Sequence, residues 1–218
     1  MSGPVVKAPL RRVLSHACGP WTAAHEQADG AAAAASGEAD LALWRLPPRP
    51  ALERWLDALP PEELPRVHDE VPADADAALI LAACNTVGHE AGDTAGLLAG
   101  EIGQLVLRFA QLGGLRTIDL RLNAIDHDAC RLFHSDRVAL RLITTYRGPG
   151  TQLVPPGHAA YALRGQARYE GPLHGVERRT VALFRGSAEG EAGVVHRSPP
   201  LRGLGITRLV LCLSVPFR

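Results

Sequence analysis

TIDLRLNA (117–124) decides the fold class. Ile118, Leu120, Leu122 and Ala124 alternate with Thr117, Asp119, Arg121 and Asn123, the period-2 pattern of a half-buried strand. Upstream the apolar spacing is helical. Leu52, Trp55, Leu56 and Leu59 fall at i, i+3, i+4 and i+7 between Pro50 and Pro60. Ala73 to Val87 is Ala-rich and predicts a buried helix. Leu98, Ile102, Leu105 and Phe109 predict a longer one, with Asp93 or Thr94 as N-cap and Gly113-Gly114 as its stop. Trp21, Trp44 and Trp55 are expected in the core of this helical half. Residues 1–44 show no clear period beyond an Ala-rich run, and are expected to be irregular or weakly helical.

Downstream of residue 124 the strands continue. Val138–Tyr146, Thr180–Phe184, Val194–His196 and Arg208–Val215 are strand candidates, separated by Gly/Pro clusters at 147–150, 155–157 and 186–193. Short strands without intervening helices predict an antiparallel sandwich or barrel over 115–218, forming one compact unit with the helical region 45–114.

Composition bounds the function. Hydrophobic and charged residues make up 46% and 21% of 218 residues, an ordinary globular balance. No apolar run reaches the roughly 18 residues of a membrane span, and no apolar segment follows Arg11 and Arg12. Four scattered cysteines fit a reducing compartment, so a cytoplasmic location is expected. Residues 1–115 carry 8 Lys/Arg against 15 Asp/Glu, and residues 116–218 carry 15 against 8. Either the halves pack with complementary fields or the second half binds an anion. No basic stripe interleaved with aromatics argues for nucleic acid.

One constellation carries chemistry. In His134-Ser135-Asp136 a histidine and a carboxylate two positions apart project to one side of an extended segment. A further histidine from a distant strand, His196, would complete three ligands on one face of an octahedral metal. That is the two-histidine, one-carboxylate pattern of non-haem Fe(II) oxygenases. The His-x-acid pair alone has little specificity, since His68-x-Glu70 repeats it. Arg208, twelve residues beyond His196, is placed to hold a dicarboxylate. A competing zinc cluster uses His127, Cys130 and His134, beside Asp126 and Asp128. Cys130 and His127 are also candidate additional ligands of the His134 site, and Cys130 is otherwise a small buried hydrophobe.

The blocks CRLFHSDRVALRLITTYRGPGTQLVP (130–155), VALFRGS (181–187), GVVHRSPPL (193–201) and TRLVLCLSV (207–215) resemble a bacterial family of unknown function, DUF1826. More distantly they are similar to Fe(II)/2-oxoglutarate dioxygenases of the double-stranded β-helix superfamily. That resemblance implies an α+β protein in which a helical half packs on an antiparallel jelly roll. It implies His134, Asp136 and His196 as metal ligands and Arg208 as the anchor of 2-oxoglutarate. Arg141 and Tyr146 are then candidates to enter the barrel and touch cosubstrate or substrate, and Arg137 and Arg197 to bind an anionic substrate. Val210 stands where many members carry Ser or Thr two residues after the anchoring Arg. The activity implied is an iron-dependent oxygenase acting on a small or conjugated substrate. The alternatives are a cupin-like zinc protein linked to metal homeostasis, or a partner-binding β-domain without metal.

Overall fold

The computed structural model describes residues 23–25, 28–84, 92–128, 130–188 and 193–216. Its strands are β1 (Ala23–His25), β2 (Leu41–Arg45), β3 (Val67–Pro72), β4 (Thr117–Ile125), β5 (Leu140–Arg147), β6 (Gln152–Leu153), β7 (His174–Gly175), β8 (Thr180–Arg185), β9 (His196–Arg197) and β10 (Arg208–Ser214). The helices are α1 (Ala28–Ser36), α2 (Pro50–Ala58), α3 (Ala77–Ala83), α4 (Asp93–Gly113) and α5 (Ala159–Gly165).

Seven strands form a major sheet in the order β1-β2-β8-β5-β10-β4-β3, antiparallel except for the β1–β2 pair. Three form a minor sheet, β7-β6-β9. The two sheets are open, and together with the helices they make an α+β jelly-roll arrangement.

Strand alternation sorts the side chains into two cores. Leu209, Leu211 and Leu213 of β10, Leu140 and Leu142 of β5, and Ile118, Leu120 and Leu122 of β4 pack against the helices with Leu52, Leu56, Ile102 and Phe109. The opposite face of the major sheet sends Ile143, Ala182, Phe184 and Val210 toward Leu153 of the minor sheet and Val194 just before β9. Beyond that sheet, Phe133, Val154 and Val195 pack on Ala162 of α5.

Several helical expectations hold. α2 opens at Pro50, and α4 ends at Gly114, whose φ of +61° is the left-handed cap that glycine adopts without strain. The α4 N-cap is Gly92, with Asp93 in the first turn rather than at the cap. α3 is shorter than the sequence predicts: Asp76 caps it by accepting from the Leu79 amide at 2.8 Å, so residues 73–75 precede the helix. Val87 and Trp21 lie outside the described residues. Trp44 is buried under the Arg108 guanidinium, and Trp55 packs at the core margin.

The described part of the first half is mostly helical, as expected, but not only helical. It supplies β1, β2 and β3, including both edges of the major sheet. In residues 28–44, expected to be irregular or weakly helical, the Ala-rich run forms α1, while the unexpected element is β2, with Leu41, Ala42 and Trp44 buried. LALWR (41–45) hides its strand character because Ala and Leu also favour helices, and its partner β8 lies over a hundred residues away. In β3 the run His68-Asp69-Glu70 is polar because it lies on an edge strand. The opposite charges of the two halves meet where these elements interleave. Arg178 pairs with Asp57 at 2.8 Å, and the buried Arg179 pairs with the buried Glu101 of α4 at 2.8 Å.

Candidate metal centre

The segment around His134 is extended, so Phe133 turns outward to α5 while His134 and Asp136 turn inward. Val194, Val195 and His196 repeat the alternation in, out, in. His134 and His196 face each other as an isolated antiparallel bridge, each amide donating to the other's carbonyl at 3.0 and 2.9 Å. The ring centroids stand 4.5 Å apart. One ligand-type atom from each of His134, Asp136 and His196 falls within 4.8 Å of the others, the one such group among the described residues.

The tautomers follow from the hydrogen bonds. His134 Nδ1 lies 2.9 Å from the Leu132 carbonyl, and His196 Nδ1 lies 3.0 Å from that of Val194. A carbonyl only accepts, so in each neutral ring Nδ1 carries the proton and Nε2 keeps its lone pair. Both Nε2 atoms point at Asp136, 3.6 Å from Oδ1 and Oδ2 respectively. Backbone carbonyls orienting the far ring nitrogen are the usual support of metal-bound histidine. The donor set therefore fits a divalent metal that tolerates two imidazoles and one carboxylate.

Asp136 is held on its other side by Arg141, whose Nε donates to Oδ2 at 2.7 Å. Burial opposes its ionisation, but the charges of His196 and Arg141, the Arg141 hydrogen bond and His134 outweigh it and keep the carboxyl below its usual range. Burial likewise lowers the pKa of His196, favouring the neutral, ligating ring. The Asp136 carbonyl accepts from the Ser187 amide at 2.7 Å. This closeness needs Gly186, because a Cβ there would collide with the Asp136 and Val138 carbonyls.

Arg208 enters the same interior from β10. It is 1% exposed, yet no carboxylate pairs with it among the described residues. Nε donates to the Pro149 carbonyl at 2.6 Å and Nη1 to Ser198 Oγ at 2.7 Å. Nη2 lies 3.4 and 3.3 Å from the hydroxyls of Thr145 and Thr151. Desolvation lowers its pKa to about 10. Hydroxyls of three residues from other elements thus surround this guanidinium, an arrangement that linear spacing does not reveal. Between Arg208 and the Asp136–Arg141 pair sits Cys212, whose thiol burial pushes up to about 11.

The remaining candidates separate. Tyr146 faces the helices, not the interior: it packs in the helix-side core with its ring 5.8 Å from the Arg179 guanidinium. Burial and Glu101 raise its pKa well above the ordinary value. Arg141 and Tyr146 are five residues apart on one strand, so alternation sends them to opposite faces. Arg197 stacks on Phe133 at 4.3 Å and donates to Gln152, while Arg137 is exposed. Cys130 and His127 are exposed and outside the three-residue group. Asp128 accepts from the amides of Leu201 and Arg202, and the competing set His127, Cys130 and His134 does not come together as a ligand group among the described residues. His68, the repeat of the motif, instead faces Asp119 at 3.7 Å.

Fold and site together define a jelly-roll protein with a two-histidine, one-carboxylate cluster between its sheets. The chain belongs to the family described as protein of unknown function (DUF1826), whose profile matches residues 26–214. No curated protein matches it. Solved structures similar to the chain include the dioxygenase for auxin oxidation in rice, at 16% identity and a TM-score of 0.48, over 85% of this chain and 77% of that one. A full-length Neurospora crassa protein in complex with alpha-KG is similar at 15% identity and a TM-score of 0.43, again over 85% and 77%. A Pseudomonas putida prolyl-4-hydroxylase is similar at 16% identity and a TM-score of 0.36, over 79% and 97%. No helix among the described residues is long and apolar enough to cross a membrane.

Proposed function

We propose that this protein is a non-haem Fe(II) oxygenase that uses 2-oxoglutarate as cosubstrate. The observation that carries the reading is the pairing of two features in one interior. His134, Asp136 and His196 present both Nε2 lone pairs and a carboxylate to a common point, and Arg208 lies buried without a counter-ion among the described residues. Three protein ligands leave coordination positions open, as catalysis requires, whereas a structural zinc site takes four and usually thiolates. Iron held there would supply activation of dioxygen and of the cosubstrate.

The chain's own groups do the rest. Arg141 fixes the Asp136 carboxylate so that it stays ionised and aimed at the two imidazoles. Arg208 would take the distal carboxylate of 2-oxoglutarate. The Ser198, Thr145 and Thr151 hydroxyls accept from its guanidinium and keep their own hydrogens to donate to that anion. Phe184, 5.0 Å from the His196 ring, and Val210 form apolar walls that exclude water.

The test is anaerobic calorimetric titration of the Fe(II)-loaded protein with 2-oxoglutarate, followed by succinate measurement on admission of oxygen. Binding and succinate release are expected. Tight zinc retention with no affinity for 2-oxoglutarate would overturn the proposal in favour of a non-catalytic metal protein.

A further inference from the structure

Arg141 has a second end. Its Nε is committed to Asp136, but among the described residues Nη1 and Nη2 carry no hydrogen bond, although the side chain is only 15% exposed. A carboxylate and a guanidinium pair most strongly through two parallel bonds, and here only one forms. The reason lies in Asp136, whose Oδ1 is turned to the His134 ring. Another acid on this face of the sheet, Asp119, is already engaged. Asp119 is 7% exposed and takes Arg121 at 2.9 Å, the Ser214 hydroxyl at 3.1 Å and His68 at 3.7 Å. Arg141 is thus left with a free fork on the inner face of the sheet.

Its place is distinct from that of Arg208. Arg141 lies on β5 opposite Ser214 in the register, six residues along β10 from Arg208, a backbone offset of about 20 Å. The two long side chains therefore leave the backbone at opposite ends of the inner face that β5 and β10 share. Asp136, Arg141 and Arg208 sum to one excess positive charge before any metal is bound. A divalent metal adds two, and a dianionic cosubstrate at Arg208 removes two. One positive charge remains over the site as a whole.

We infer that Arg141 is the anchor for an oxyacid group of the substrate, a carboxylate or a phosphate, held beside the metal ligand Asp136. This rests on the oxygenase reading, with Arg208 assigned to the cosubstrate. The substrate class is therefore anionic, and a neutral analogue leaves the fork unpaired in a half-dry site, which costs affinity.

The experiment uses the full chain loaded with diamagnetic Zn(II) and 2-oxoglutarate. It follows the Arg141 Nε–H resonance by NMR, assigned by its loss in Arg141→Gln. Acetate and inorganic phosphate are titrated separately, with chloride as control. We expect a saturable shift with acetate, phosphate or both, the stronger identifying the class. Anion binding, measured by calorimetry at saturating Zn(II) and 2-oxoglutarate, should be about tenfold weaker in Arg141→Gln, and metal affinity is expected to fall too because Asp136 loses its Arg141 hydrogen bond. If Arg141→Gln loses metal as well, Arg141→Lys decides. Recovered anion binding supports the anchor; recovered metal affinity without it reduces Arg141 to a support for Asp136 and overturns the inference. A resonance that responds to neither anion in wild-type protein also overturns it. Failure of the wild type to bind 2-oxoglutarate at all is a separate readout and bears on the oxygenase reading.

Discussion

His134 and His196 exchange both backbone hydrogen bonds, at 3.0 and 2.9 Å, across the edge of the minor sheet. Two candidate ligands 62 positions apart are thereby fixed by main-chain pairing rather than by loop conformation. Directly opposed residues of an antiparallel pair place side chains on the same face. The spacing of the two rings is a property of strand register, and Asp136, two residues on, inherits it.

Removing one ring should therefore remove the site without removing the fold. His196→Ala is expected to abolish Mn(II) or Fe(II) binding in calorimetry. The wild type should gain about 2.7 kcal/mol of stability at metal concentrations about a hundred times Kd. The variant should gain nothing, with a circular-dichroism spectrum like the parent's.

Arg208→Met removes a buried cation while keeping much of its volume. Affinity for 2-oxoglutarate should fall by roughly a hundredfold or more, since losing one partner of a buried charge pair costs about 2–5 kcal/mol. Metal affinity, measured in the same titrations, should move less than about threefold, because Arg208 makes no contact with His134, Asp136 or His196 among its hydrogen bonds.

Tyr146→Phe and Glu101→Gln probe the other face of the sheet. Tyr146→Phe should leave metal and cosubstrate binding unchanged and alter stability by no more than about 1 kcal/mol. Glu101→Gln strips the buried Arg179 of its closest carboxylate and should cost about 3–5 kcal/mol in urea unfolding.

His174 gives a pH test away from the metal ligands. Burial holds its pKa below the ordinary value near 6.5, with Glu177 opposing. The unfolded chain then takes up the proton more readily than the folded one. The stability contribution is fully present above about pH 6.5 and lost as pH falls from there through the folded pKa. His174→Gln should flatten the decline of stability as pH falls below about 6.5 in denaturant titrations.

Much of this was legible in the chain. The alternation at 117–124 and 208–214 follows from strand geometry, and both segments are central strands of the major sheet. α2 and α4 were readable because Pro50 and Gly114 punctuate strong apolar periods. β2 and β3 were not, because short strands with helix-favouring or charged residues acquire their identity only from distant partners. The inward side of Arg141 and the outward side of Tyr146 could have been separated from spacing alone, since five positions on a strand reverse the face.

The sequence alone determined which residue types were available for chemistry: a His-x-Asp pair, a later histidine and a later arginine, each within or beside a strand pattern. Only the tertiary structure decided that His196 faces His134 rather than a neighbour, and that the hydroxyls around Arg208 come from Ser198, Thr145 and Thr151. It also left the Arg141 fork free. The physical reason is that local pattern sets which face a side chain occupies. Strand register and sheet packing, which join residues tens of positions apart, set what that face meets.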